Sequence, residues 1–356
     1  MPLAIINRKM KNDLIKVGIS VGDLNGVGIE VILKTFQDNR LLELCTPIVF
    51  GSNKTISFQR KHLNINVNFQ GIDLLENAVE GKLNVLNCWK DSPNISFGKE
   101  TPEGGKYAFE SLQIATQALK NDLIDVLVTA PINKNNIQSE TFKFPGHTDY
   151  LAQELEGKSL MFMVSEELKV GLLTDHVPIK EVSSHITPDL ISEKIKLIDE
   201  SLKKDFCLQR PKIAVLGLNP HCGDNGVIGD EDDTIIRPTL RKLFDEGFLV
   251  FGPFSADGFF ASGNYKNYDA VIAPYHDQGL IPFKTITFGN GVNFTAGLKR
   301  VRTSPDHGTA FEIAGKGQAN ADSFKQAVYT AIDIFKNRTE YEDLQKNQLK
   351  TKSDIK

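Results

Sequence analysis

A chain of 356 residues is long enough to bury sizeable cores, as two domains or one large one. Its 40% hydrophobic and 24% charged residues suit a soluble globular protein, and a net charge of −4 argues against nucleic-acid or membrane-surface binding. Cys45, Cys88, Cys207 and Cys222 lie far apart with no CxxC pair and read as reduced thiols of a cytoplasmic protein. The amino-terminal MPLAIINRKMKND has its basic residues after a very short apolar run, the wrong order for a signal peptide. No apolar stretch approaches the roughly 18 residues that cross a bilayer.

The first apolar, β-branched run, IKVGISV (15–21), feeds GDLNGVGIEV (22–31) and a helix-like stretch at 26–36. Glycines after a strand and at a helix start let the backbone turn tightly and approach a ligand. The spacing is not GxGxxG, so a Rossmann fingerprint is not supported, and the loop reads equally well as a plain strand-to-helix turn. A strand at 47–51 and a helix at 53–62 follow. His62 has no ligand-like context and reads as surface or structural. The Asn-rich segment 62–100 is too weakly periodic to assign. In 103–120, Ala108, Leu112, Ala115 and Leu119 recur at 3–4 spacing, one face of an amphipathic helix. After a strand at 123–129 comes FPGHTDYLAQEL, where Thr148 is placed to cap a helix whose N–H groups would face an anion. Simple capping explains that segment as well.

Three histidines then follow strand-like runs: His176 after 158–165 and 169–174, His221 after 212–218, and His276 after 269–275. Helices are expected between them at 188–204 and 232–246. A side chain just past the carboxyl end of a buried strand is where open α/β sheets place ligands. One such histidine is ordinarily a packed residue. Three in equivalent contexts can supply the imidazoles of one divalent-metal site, with Asp175 and Asp277 orienting their rings. His185 lies in a polar stretch and reads as structural.

Lys284, Asn293 and Arg302 are spaced nine apart among turns and short apolar runs, a set of donors that suits phosphate or carboxylate, or simply a solvated surface. DHGTAFEIAGKGQAN (306–320) has Gly308, Gly315 and Gly317 framing a short apolar helix, a loop able to wrap a nucleotide. A helix at 322–336 precedes a polar tail, 346–356, that is expected to fray. Alternating strands and helices argue α/β with a mainly parallel sheet.

Together, PGHTDYLA, GLNPHCGDNGVIGDEDDTII, YHDQGLIPFK and FGNGVNFTAGLKRVRTSPDHGTAFEIAGKG resemble the 4-hydroxythreonine-4-phosphate dehydrogenases of pyridoxal phosphate biosynthesis, in order, over about residues 15–335. The resemblance implies an α/β fold like that of isocitrate and isopropylmalate dehydrogenases: two α/β/α subdomains with a cleft between them and a non-Rossmann NAD site. A cofactor-side subdomain would comprise 1–128 plus 301–345, and a metal, substrate and dimerisation subdomain 129–300. It implies that His176, His221 and His276 bind one divalent ion (zinc, magnesium or cobalt). It implies substrate contacts from His147, Thr148, Lys284, Asn293 and Arg302, and NAD or NADP contacts from Gly22, Asp23, His307, Gly308, Thr309, Ala310 and Asn320. It also implies a homodimer with its active site at the subunit interface. The sequence departs from the family pattern at GDLNGVGIE for GDPAGIGPE, at HCG for HAG, at SADGFF (255–260) for ADTLF-like residues, and at Pro305, where Val is common.

The implied reaction is oxidation of 4-phosphooxy-L-threonine to 2-amino-3-oxo-4-phosphooxybutanoate, which decarboxylates to 3-amino-2-oxopropyl phosphate. Asp257 and Asp277 are the carboxylates placed to accept a proton or orient a partner. A related four-carbon acid, phosphoerythronate or D-threonate phosphate, would use the same motifs. A metal-dependent phosphatase would fit the histidines but not a nucleotide loop.

Overall fold

The computed structural model describes residues 14–346. The amino-terminal segment and the tail beyond Lys346 therefore lie outside the described residues. Twelve strands form one sheet. They are β1 (Ile15–Ser20), β2 (Cys45–Gly51), β3 (Phe69–Ile72), β4 (Leu83–Asn87), β5 (Val126–Thr129), β6 (Gly157–Val164), β7 (Lys169–Leu172), β8 (Ile213–Leu216), β9 (Val250–Phe254), β10 (Ala270–Ala273), β11 (Val292–Leu298) and β12 (Val301–Pro305). The helices are α1 (Gly28–Thr35), α2 (Asn53–His62), α3 (Pro102–Lys120), α4 (His147–Glu154), α5 (Val182–His185), α6 (Pro188–Asp205), α7 (Arg237–Asp245), α8 (Ala256–Ala261), α9 (His276–Ile286) and α10 (Asp322–Lys346).

The strand order is β3-β4-β2-β1-β5-β12-β11-β6-β7-β10-β8-β9. All neighbours are parallel except around the middle, where β11 runs antiparallel to β12 and β6, and β6 antiparallel to β7. The two parallel blocks therefore run in opposite senses. Strands such as β5, β8 and β10 are buried along their whole length, which is why they read as unbroken apolar runs.

Helix boundaries follow local chemistry. Thr101 caps α3 by accepting from Gly104 N at 3.1 Å, with Pro102 in the first turn. Ala108, Leu112, Ala115 and Leu119 are all buried, the face expected from their spacing. Thr187 caps α6 in the same way. The stretch 232–246 is a π-helical turn, Asp232–Ile236, followed by α7. Helix α10 runs ten residues past the expected 336, to Lys346, anchored by the buried pair of Arg338 Nε and Asp205 Oδ1 at 2.6 Å. The unassigned segment 62–100 supplies β3 and β4, and 306–320 forms turns, not the short helix expected there.

One face of the sheet carries an unbroken core that α1, α2, α6, α7 and α10 cover. On the other face the core is split. One cluster packs α3 and α4 on β2, β4 and β5, and a second packs α8 and α9 on β6, β7, β8 and β10. All four cysteines are free, and burial pushes the Cys45 and Cys88 thiols up to about 12. Among the described residues no helix is long and apolar enough to cross a membrane.

The loop after β1 shows what its glycine does. Gly22 has φ +68°, and a Cβ there would lie 2.2 Å from Pro131 O, which accepts from Asp23 N at 2.9 Å. Gly22→Ala should lower unfolding free energy by about 1–3 kcal/mol. An unchanged denaturant midpoint would show that the loop accommodates a side chain.

Candidate active site

Between the two clusters of the split face lies a cavity of about 280 Å³. Its strand-borne lining comes from Thr129, Met161, Met163, Asn293, Arg302 and Ser304. Pro131, Ile132 and Lys134 after β5, the start of α4, residues 175–176, the α9 face with His276, Leu280 and Lys284, and the turn 305–308 complete it. The cavity thus gathers all five expected substrate residues, two of the three expected metal ligands, and His307 and Gly308.

Arg302 dominates the electrostatics. Its side chain is 1% exposed, yet among the described residues its hydrogen-bond partners are hydroxyls and not carboxylates. Nε and Nη2 donate to Thr129 Oγ1 at 3.1 and 2.6 Å, and Nη1 to Thr295 Oγ1 at 3.0 Å. Burial pushes the guanidinium down to about 9, so it remains charged at neutral pH. A buried cation that only hydroxyls solvate is costly until an anion joins it. Nearby, α4 opens at His147 behind Gly146, which provides no side-chain cap. Its first N–H groups are therefore available to an anion. Thr148 lies inside this first turn and is not the cap, because the chain enters the helix at Gly146.

His147 Nε2 and Asn293 Oδ1 are buried without a partner. Burial, with Arg302 and Lys134 close by, holds His147 well below the usual histidine range, so it is neutral. Lys284 Nζ donates to Asp306 O at 3.1 Å.

His176 follows β7, and His276 begins α9 after the adjacent β10. Their ring centroids are 5.7 Å apart. Asp277 Oδ1 lies 2.7 Å from His276 Nδ1. With the carboxylate accepting, Nε2 is left free for a ligand. Asp277 therefore orients an imidazole. Burial and the nearby Lys134 lower the His176 pKa, favouring the neutral ring that a metal requires.

His221 does not join them within the chain. Among the described residues no three His, Cys, Asp or Glu side chains could hold one ion. His221 is exposed and does not line the cavity. It sits in a run of left-handed residues, with φ +53° at His221, +54° at Cys222, +46° at Asp224 and +57° at Asn225. Buried Asp232 holds this loop from behind, accepting from Leu218 N at 2.8 Å and Asn219 N at 2.9 Å. Asp257 is close enough for His221 to lower its pKa, behind the larger effect of a bond from Ser255. It too lies outside the cavity.

The two glycine loops expected to meet a cofactor pack on each other. Val27 N donates to Thr309 O at 3.0 Å, and a Cβ on Gly26 would lie 2.9 Å from that oxygen. Gly22, Asp23, Thr309, Ala310 and Asn320 do not line the cavity. Asp23 is buried with both oxygens in use, by Asn25 N at 2.8 Å and Asn136 Nδ2 at 2.7 Å. Asn320 Oδ1 accepts from Asp322 N at 2.7 Å at the start of α10. His307 reaches the cavity with a buried Nε2 that has no partner. His62 pins the later loop from outside, with Nε2 3.1 Å from Gly315 O and its ring 4.6 Å from that of Phe97.

Lys134 and Asp149 line the cavity and were not singled out from the sequence. The signal available was Lys134 in the loop directly after the strand LVT, a position equivalent to those of the histidines.

A family model described as pyridoxal phosphate biosynthetic protein PdxA matches residues 43–331. The chain belongs to this family. A relative from Bacteroides thetaiotaomicron named 4-hydroxythreonine-4-phosphate dehydrogenase is 50% identical over 331 residues, covering 92% of this chain and 91% of its own. Crystal structures of enzymes so named from Klebsiella pneumoniae and Burkholderia phymatum match with TM-scores of 0.78 and 0.74 at 31% and 32% identity. They cover 92% and 91% of this chain and 99% of each of theirs. The α/β fold is thus that of the family.

If Arg302 is held ready for an anion, inorganic phosphate should raise the melting temperature of the wild-type protein. Arg302→Met should abolish that rise while leaving phosphate-free stability equal or higher, because an unpaired buried charge is gone. An undiminished phosphate response in the variant would remove Arg302 from the anion site.

Proposed function

We propose that this family member is a metal- and NAD(P)-dependent dehydrogenase of 4-phosphooxy-L-threonine. The product, 2-amino-3-oxo-4-phosphooxybutanoate, loses CO₂ to give 3-amino-2-oxopropyl phosphate for pyridoxine 5'-phosphate biosynthesis. The observation that carries the reading is a buried, carboxylate-free Arg302 in the same cavity as two facing histidines.

Arg302, Asn293, Lys284, Thr148 and the α4 start would hold the phosphate, fixing the reacting carbon near His176 and His276. Neutral His147 adds a hydrogen-bonding group without a charge. His176 and His276 would hold the divalent ion, which fits because Asp277 leaves Nε2 of His276 free. An ion held there would supply acidification of the substrate hydroxyl, and a nicotinamide would supply the hydride acceptor. His307, with its unpartnered Nε2, and Gly308 would face the nucleotide, with Thr309 and Ala310 behind them. Gly22, Asp23 and Asn320 would act as supports of that surface. A hydrolase reading leaves this turn without a role.

The third ligand in this reading is the partner's His221, brought by a second copy of the chain together with its Asp257 as a proton acceptor. Exposed apolar side chains flank both halves of the divided site. Val227, 80% exposed, and Ile228 follow His221. Phe288, 89% exposed, Ile281 on α9 and Ile179 belong to the segments that carry His276 and His176. Apolar groups clustered so suit burial between copies.

NAD(P)H absorbance with 4-phosphooxy-L-threonine, metal and either nucleotide should rise and be abolished by a chelator. Absence of turnover with both nucleotides and each metal would sink the reading. A mixing experiment tests the division of the site. His221→Ala and His276→Ala homodimers should each be inactive, and equal mixing should restore about a quarter of wild-type activity through hybrids with one intact site. No recovery from folded, exchanging dimers would place all ligands on one chain.

A further inference from the structure

One acidic side chain of the cavity is left without a role. Asp175 lines the cavity next to His176, and its Oδ1 is buried with no hydrogen-bond partner. The other two lining carboxylates are accounted for. Asp306 Oδ1 accepts from Ser323 Oγ at 3.0 Å. Asp149 is exposed in the first turn of α4, where the helix dipole favours a negative charge.

Asp175 does not complete a metal site. It lines the same cavity as His176 and His276, yet among the described residues no such trio could hold an ion. Nor do the cavity's cations satisfy that oxygen: Lys284 donates to Asp306 O, Arg302 to two threonines, and Lys134, which also lines the cavity, forms no bond to it. Lys194, whose field reaches Asp175, does not line the cavity. A buried carboxylate oxygen with no donor costs free energy until a donor arrives, and Asp175 belongs to the wall that a ligand would meet.

We propose that Asp175 accepts the α-amino N–H groups of the substrate and thereby selects a 2-amino acid over its 2-hydroxy or unsubstituted counterpart. The inference rests on the proposed reading of the site, in which the reacting hydroxyl is held at His176 and His276. The amino-bearing carbon is the neighbour of the carbinol carbon, so its nitrogen would lie in the same cavity, whose wall Asp175 shares with His176 and His276. An α-amino group brings up to three N–H donors and a positive charge, whereas a hydroxyl brings one donor and none. A carboxylate distinguishes them because charge-assisted bonds are roughly twice as strong as neutral ones.

The test is calorimetric titration of the metal-loaded full chain, without nucleotide, using 4-phosphooxy-L-threonine and its deamino analogue 3-hydroxy-4-phosphooxybutanoate. Wild type should bind the amino ligand about tenfold or more tighter than the analogue. Asp175→Asn should lose most of that ratio by weakening the amino ligand alone, with the analogue changed by less than about twofold. Asp175→Ser, a smaller neutral change, serves where the Asn variant does not fold, and Asp175→Glu should keep part of the preference. Equal weakening of both ligands, or an unchanged ratio, overturns the proposal while leaving the dehydrogenase reading intact. Wild type that binds neither ligand overturns that reading, and the role of Asp175 with it.

Discussion

A guanidinium sealed into the sheet without a carboxylate shapes the rest of this molecule. Arg302 projects from a central strand into hydroxyls of Thr129 and Thr295 on β5 and β11. Hydroxyls satisfy hydrogen bonds but supply no opposite charge, so the guanidinium keeps a charge that bulk water does not screen. Everything close to it is arranged accordingly. His147 is kept neutral, the first turn of α4 has no side-chain cap, and the polar residues of β11 and β12 sit where a sheet interior would ordinarily be apolar. An anionic ligand would supply the missing counter-charge.

The second constraint is the division of the histidines. His176 and His276 are brought together because β7 and β10 are parallel neighbours ending on the same edge. His221 follows β8, the next strand over, and the left-handed run turns it outward instead. Backbone held so costs free energy, here opposed by Asp232 and Asn219 behind the loop. Such strain in a surface loop is readily understood where the loop has something to reach.

The strands and helices legible in the sequence were those with one clear period or an unbroken apolar run, such as β1, β8, β10 and α3. Those that were not legible have physical causes of more than one kind. β11 and β12 carry Asn293 and Arg302, which line the cavity, and Thr295, which accepts from Arg302, and those polar residues hid the strand signal. β9 contains Pro253, tolerable at the sheet's edge, and α9 contains Pro282 and Gly279. The site was legible as a set of loops after strands, and family resemblance supplied the roles. Asp175 was read from the sequence only as a ring-orienting neighbour, because its unpartnered oxygen is a fact of packing. Lys134 carried no such signal beyond its place in a loop, and Asp149 none beyond its place in the first turn of α4.

The split core has an evolutionary side. On the face covered by α1, α6 and α10, close packing runs from one edge of the sheet to the other, so a change of volume anywhere is transmitted widely. On the opposite face, the cluster beneath α3 and α4 and the cluster beneath α8 and α9 share no side chains. Substitutions in one are insulated from the other, and their effects should add. Each wall of the cavity is thus free to drift in sequence on its own, widening or narrowing the space between them, while the shared spine keeps Arg302 and the two facing histidines in register. A scaffold built this way can be retuned to new ligands one wall at a time.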